Sequence, residues 1–146
     1  MGSSKRVQLS VLCLTVVALF VVTASVDAQN KTWNVKSNAR LKPVGDEPRA
    51  SGQAKVTGVL TAYDGWDGPY YVFDGSLSFS CKGLTPGATY MAGWGSEWGR
   101  YPFTAGADGS FSGGPFGTGN SRPTGMSVDR VSGTSLIPVL HGKFSG

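Results

Sequence analysis

Histidine occurs once in this 146-residue chain, and cysteine and glutamate occur twice each. Cys13 lies inside an apolar N-terminal run, so Cys81 stands alone in the remainder and no internal disulfide can form there. A zinc site wants several imidazoles and thiolates, which His141 and Cys81 together cannot supply. Nucleophilic hydrolysis needs a base beside the nucleophile. The sole histidine sits near the C-terminus in an apparent strand, and no Gly-x-Ser-x-Gly elbow exists: Ser110-Phe111-Ser112 and Ser96-Glu97-Trp98 each lie between glycines without a central serine. Gly93-Trp94-Gly95 lacks the third glycine of a dinucleotide fingerprint and opens no helix. Asp64, Asp67 and Asp74 surround a glycine-rich loop but do not have EF-hand spacing, and aspartates in turns commonly bond their own backbone. These absences lead us to expect no catalytic residues, no metal and no cofactor. A small hydrolase in which Glu97 pairs with Asp64 or Asp67 is the remote alternative, because glycoside cleavage needs two carboxyl groups flanking the bond. Helical periodicity is missing too: after residue 28, no window of about 11 residues keeps an apolar period of 3.6.

The first 28 residues have the three parts of an export signal. Lys5 and Arg6 are followed by a mainly apolar run from Val7 to Ala24, and Val26 and Ala28 are placed for a cut before Gln29. An uncleaved membrane anchor is the competing reading, since about 18 residues is near the lower limit for a span. We expect a secreted protein, whether extracellular, on the cell surface or periplasmic, divided into signal 1–28, a basic and mostly irregular arm 29–53, and a β-domain 54–146. The net charge of +4 is unevenly spread. The arm carries Lys31, Lys36, Arg40, Lys42 and Arg49 against Asp46 and Glu47, whereas charges after Ser51 cancel. Such an arm could touch anionic lipid, polysaccharide or nucleic acid. It has no dense basic cluster, export argues against nucleic acid, and it reads as a solvated tether.

Within the arm, one short strand is expected around Thr32 to Lys36. Ala54 to Tyr63 reads as a strand bulged at Gly58, and Asp64 to Pro69 as a loop. Tyr70 to Phe73 and Ser76 to Cys81 are extended; in the latter, serines alternate with Leu77, Phe79 and Cys81, which places Cys81 inside as a small apolar group. Thr85-Pro86-Gly87 is a turn in which proline presets φ and glycine accepts a positive one. Ala88 to Trp94 follows, with Tyr90, Ala92 and Trp94 on one face. A hairpin is expected over Phe103 to Ser112 around Asp108-Gly109, then a structureless glycine-rich loop over 113–123. The last two strands, Gly125 to Val131 and Ser135 to Phe144, flank Ser132-Gly133-Thr134, and Pro138 calls for an edge or a bulge. Many short strands with glycine turns imply an all-β sandwich or barrel.

Leu84-Thr85-Pro86-Gly87-Ala88-Thr89-Tyr90 resembles the Leu-x-Pro-x-x-x-Tyr element of fibronectin type III and related Ig-like domains. Phe103 to Ser112 is similar to a hairpin of bacterial secreted Ig-like repeats, with Gly106 where an aspartate is common, so no calcium role is carried over. The resemblance covers roughly Leu77 to Val131. It implies an Ig-like antiparallel β-sandwich in which the tyrosine hydroxyl bonds back to the preceding turn. It implies nothing about activity.

The functional signal is aromatic. Trp66, Tyr70, Tyr71, Trp94, Trp98 and Tyr101 lie in and beside two loops, interleaved with Asp67, Glu97 and Arg100. Ring faces supply contact area and polar neighbours orient a partner; the bland alternative, that most of these rings pack in the core or cover sheet edges, carries more weight. The expected ligand-binding set is Trp66, Asp67, Trp94, Glu97, Trp98, Arg100 and Tyr101. We therefore expect a non-catalytic exported Ig-like module for extracellular or cell-surface structure or adhesion, or else a carbohydrate-binding module using those aromatics. Its partner would be an extracellular protein or a polysaccharide, not nucleic acid, with membrane contact only if the N-terminal segment stays attached.

Overall fold

The computed structural model describes residues 30–95 and 99–146. The expected signal segment, and Glu97 and Trp98 of the expected binding set, lie outside the described residues. Among the described residues there is no helix. The strands are β1 (Lys31–Pro43), β2 (Ser51–Gly65), β3 (Gly68–Lys82), β4 (Thr89–Gly93), β5 (Arg100–Thr104), β6 (Phe111–Gly117), β7 (Gly125–Ser132) and β8 (Ser135–Lys143). They form one antiparallel, nearly closed sheet in the order β5-β4-β7-β8-β1-β2-β3-β6. The chain crosses over between β3 and β4 and again between β6 and β7.

Alternation decides what fills the interior. Val56 on β2, Phe73, Leu77, Phe79 and Cys81 on β3, Tyr90 and Ala92 on β4, and Val128 on β7 are all buried, with their neighbours turned outward. The two end strands, β5 and β6, share no backbone ladder among the described residues. Rings close the gap instead. Tyr101 and Phe116 lie with centroids 4.3 Å apart, as do Phe103 and Phe111, and Phe79 touches Phe103, Phe111 and Phe116. Ring pairs in this distance range attract beyond their buried area.

That seam explains why the expected 103–112 hairpin is splayed. Its turn keeps the Gly106 N–H to Ser110 carbonyl bond at 2.9 Å but is also docked on another segment: Gly87 N–H donates to the Ala105 carbonyl and Leu84 N–H to the Gly109 carbonyl, each at 3.0 Å. Both flanking strands exist, but they are docked through this turn and their rings. The glycine-rich segment after Ser112 is also strand as far as Gly117, held on one side by β3.

The arm differs most from expectation. Residues 31–43 are a 13-residue strand, not a mostly irregular tether with a strand over 32–36. Val35, Ser37, Ala39 and Leu41 are buried while Lys36, Asn38, Arg40 and Lys42 face out. The inward set contains two small residues, which hides the period-two pattern from a reading based on large apolar side chains. Ser37 Oγ donates to the Ser145 carbonyl at 2.6 Å, tying β1 to the chain's end. β2 has no bulge at Gly58: the ladder with β3 runs unbroken from Ser51↔Lys82 to Gly65↔Gly68. Gly58 pairs with Gly75, and a Cβ on Gly75 would sit 2.5 Å from the Phe73 ring. Those glycines make room for Phe73. Pro138 behaves as expected, with the β7–β8 register slipping by one residue where Val128 pairs with Leu140 and Asp129 with Pro138.

The expected tyrosine-to-turn bond is present. Tyr90 is fully buried, and its hydroxyl accepts a bond from Thr85 N–H at 2.9 Å. The hydroxyl donates onward to Glu47, whose oxygens lie 2.7 and 3.0 Å away. Thr85 gives Glu47 both its N–H and its hydroxyl, and Arg130 on β7 lies 3.3 Å from the same carboxylate. Burial by itself would raise the Glu47 pKa, but the Thr85 and Tyr90 bonds with the Arg130 charge hold it below the ordinary glutamate range. Gly87 closes the turn at φ 72°, the positive value expected of it. One carboxylate thus fastens the β1–β2 connection to the Leu84–Gly87 turn and to β7.

Candidate functional site

The β2–β3 hairpin outruns its neighbour. β6 pairs with β3 only over Ser76 to Cys81, leaving the stretch nearer the turn without that partner. From Val59 to Gly65 the hairpin extends about 20 Å at the usual strand rise. Its connection is only two residues, Trp66 and Asp67, between the paired glycines 65 and 68. The expected 64–69 loop is thus strand nearly to its tip, with Gly68 at φ 117° taking up the reversal.

Both faces of this distal hairpin carry rings. On the face continuous with the core, Tyr71 follows the Phe73 stripe outward and meets Trp33, which continues the buried stripe of β1; the centroids are 6.3 Å apart. On the opposite face, Tyr63 and Tyr70 form a cross-strand pair stacked at 5.2 Å and 16°. Trp66 crowns the turn and is as exposed as an isolated tryptophan, at 102%. Trp33, Tyr70 and Tyr71 are each about half exposed, at 45, 52 and 59%. Five aromatics therefore lie along one hairpin and the adjoining end of β1. Asp64 and Asp67 flank Trp66, Asp74 lies farther back, and no lysine or arginine occurs from Val56 to Cys81. The tip is aromatic and acidic.

The other described members of the expected set, Trp94, Arg100 and Tyr101, go elsewhere. Trp94 follows β4, is 4% exposed, and stacks on Phe116 at 5.8 Å. Its ring therefore belongs to the interior and has no face to offer a ligand. Tyr101 is half buried in the β5–β6 seam. Arg100 is exposed at the start of β5; its charge partly offsets the burial that raises the Asp129 carboxyl on β7. Of the described members of the expected set, only Trp66 and Asp67 share the hairpin tip. Trp33 and Tyr63 join them with no sequence signal beyond their ring type. Tyr63 is opposite Tyr70 by ladder register, and Trp33, within the expected strand over Thr32 to Lys36, is brought to Tyr71 only by the fold.

The remaining chemistry is quiet. Burial pushes the Cys81 thiol up to about 12, so it carries almost no thiolate at neutral pH. Among the described residues, no three histidine, cysteine or carboxylate side chains gather as a metal site would need. Comparison of the chain with protein-family models, curated proteins and solved structures finds no significant match in any of the three.

Proposed function

We propose that this chain is a non-catalytic, exported β-domain that serves extracellular or cell-surface structure or adhesion, with the aromatic β2–β3 hairpin as its contact element. The observation that carries this reading is the complete exposure of Trp66 at the tip of a hairpin whose flanking rings are also open. Large rings left in water cost apolar hydration, and a soluble surface seldom gathers several in one place unless a partner covers them. The hairpin's ladder also holds them in a fixed arrangement, so little order has to be gained on binding. Within the same proposal, the Tyr90-to-Thr85 bond favours an Ig-like or fibronectin-type relationship for the fold.

A carbohydrate ligand is the second reading. It is favoured by the pairing of the free Trp66 face with Asp64 and Asp67 on either side, since a sugar offers C–H faces to rings and hydroxyls to carboxylates. A glycan array read alongside intrinsic tryptophan fluorescence tests it. Binding to a neutral glycan with a shift in tryptophan emission supports this ligand class. Retention on an extracellular protein fraction with no glycan signal supports the adhesion reading in its protein-binding form.

A further inference from the structure

Four cations dispersed along the sequence, Arg40, Lys42, Lys55 and Lys82, converge on one outer face. Arg40 and Lys42 alternate with the buried Ala39 and Leu41, so they point away from the core. The ladder places Lys55 opposite Ser78, Gln53 opposite Ser80 and Ser51 opposite Lys82, all on the outward side of β2 and β3. Ser80 in turn pairs with Ser112 of β6. These side chains line two grooves of about 560 and 730 Å³, which adjoin because both include Arg40, Gln53, Ser80 and Ser112. Arg40, Lys42, Lys55 and Lys82 all contribute, and no acidic residue lines either groove. Asp108, two residues from the lining Ser110, is engaged by the Ser110 N–H at 3.0 Å and its hydroxyl at 2.7 Å. Among the described residues the ion pairs involve only Arg130, so none of the four groove cations has a carboxylate partner.

We propose that this groove binds a linear anionic polysaccharide, one bearing sulfate or uronate groups. Four unpaired cations set the sign of the ligand, and electrostatic attraction over such a face concentrates a polyanion. The serine, glutamine and asparagine side chains between the cations both donate and accept hydrogen bonds, as a hydroxyl-rich chain requires. Shape and lining select among polyanions. An open groove that runs across neighbouring strands, with polar side chains between its cations, suits a single extended chain. The two rings along its lining, Phe79 and Phe111, are buried and partly buried against the core, so neither presents an open face of the kind a nucleic-acid base stacks on. The site is separate from the aromatic hairpin: its cations lie on β1, the first part of β2 and the last part of β3, whereas the hairpin tip is acidic.

The test applies the purified protein to immobilised heparin, as a sulfated probe, and polygalacturonate, as a carboxylated one, at rising salt. The wild type should bind at least one of them in 50 mM salt and elute steeply as salt rises. The R40Q/K42Q/K55Q/K82Q variant should lose at least tenfold in affinity and much of the salt dependence, with its unfolding midpoint retained, while Trp66→Ala should bind as wild type does. Failure of the wild type to bind either probe overturns the proposal, as does unchanged binding by the quadruple variant. Equally tight, equally substitution-sensitive binding to a single-stranded oligonucleotide or to anionic vesicles overturns the polysaccharide assignment. Salt-sensitive self-association in sedimentation that consumes the same four cations would show that the groove receives the acidic tip of a second copy, and would overturn it too.

Discussion

Replacing Tyr90 with phenylalanine removes one oxygen from the most constrained polar site in the fold. The ring, fully buried and stacked on Phe103 at 5.5 Å, has room to stay where it is. What disappears is an acceptor for Thr85 N–H at 2.9 Å and a donor to the Glu47 carboxylate at 2.7 Å. Thr85 N–H keeps Glu47 at 3.1 Å, and Glu47 keeps Thr85 and Arg130, so the loss falls mainly on the bond to the charge. A hydrogen bond to a charged group contributes about 1.5–3 kcal/mol, which puts Tyr90→Phe near 2 kcal/mol. For a domain of this size that is a fall of roughly 8 °C in unfolding midpoint. The pH dependence gives a second, sharper reading. Glu47 has a depressed pKa in the folded protein, so its stabilisation is complete above the unfolded glutamate value of 4.5 and drains away as pH falls below that through the folded value. Tyr90→Phe should weaken that acid-side slope because it removes one of the bonds that depress the pKa, and Glu47→Gln should nearly abolish the residue's contribution to it. Thermal unfolding by circular dichroism between pH 3 and 7 measures both effects. A midpoint for Tyr90→Phe within about 1 °C of wild type at pH 7, or an undiminished slope in Glu47→Gln, would refute the reasoning.

Cys81 should react with thiol reagents only as fast as the domain opens, since its thiol is buried and titrates near 12; rapid labelling of the folded protein would contradict its place in the core. Gly75→Ala should destabilise by about 1–3 kcal/mol, because the added methyl meets both the Phe73 ring and the Thr57 carbonyl at 2.5 Å; a neutral result in a denaturant titration would show that Phe73 repacks freely. Trp94→Ala should cost about 3–5 kcal/mol as a buried large-to-small change, which separates it from Trp66→Ala on the same assay. N-terminal sequencing of exported protein should begin at Gln29, and a reading from Met1 or Gly2 would favour an anchor instead.

The parts of the fold legible in the sequence were those governed by local chemistry. Pro138 announced a slipped register, Pro86-Gly87 a turn, and the serine alternation around Leu77 the inner face of β3. Long-range partnership was not legible. Nothing near Phe103 or Phe111 reveals that their strands end the sheet and meet through rings, because the turn between them bonds to Leu84 and Gly87 from a separate segment. The continuation of β1 past Lys36 was hidden because Ser37 and Ala39 are small, and Glu47, which reads as arm charge, is the buried partner of Tyr90. The candidate site divided along the same line. Trp66, Tyr70 and Tyr71 stand on one hairpin and were visible together, whereas Trp33 lies in a strand whose neighbours the sequence does not name and meets Tyr71 only in the fold. Trp94 follows Tyr90 and Ala92 at alternate positions, and that alternation pointed inward more strongly than its glycine neighbours pointed to a loop.

The claim that the hairpin is the contact element is tested most directly by one pair of readings on Trp66→Ala. Its retention on the glycan or extracellular protein that the wild type binds is measured beside its thermal unfolding midpoint. Because Trp66 touches no core residue and projects wholly into solvent, the midpoint should stay within about 1 °C, since surface changes of this kind fall within roughly 0.5 kcal/mol. Binding should fall at least tenfold, the loss expected when a central aromatic anchor is truncated. Undiminished binding by a stably folded Trp66→Ala protein would contradict the account.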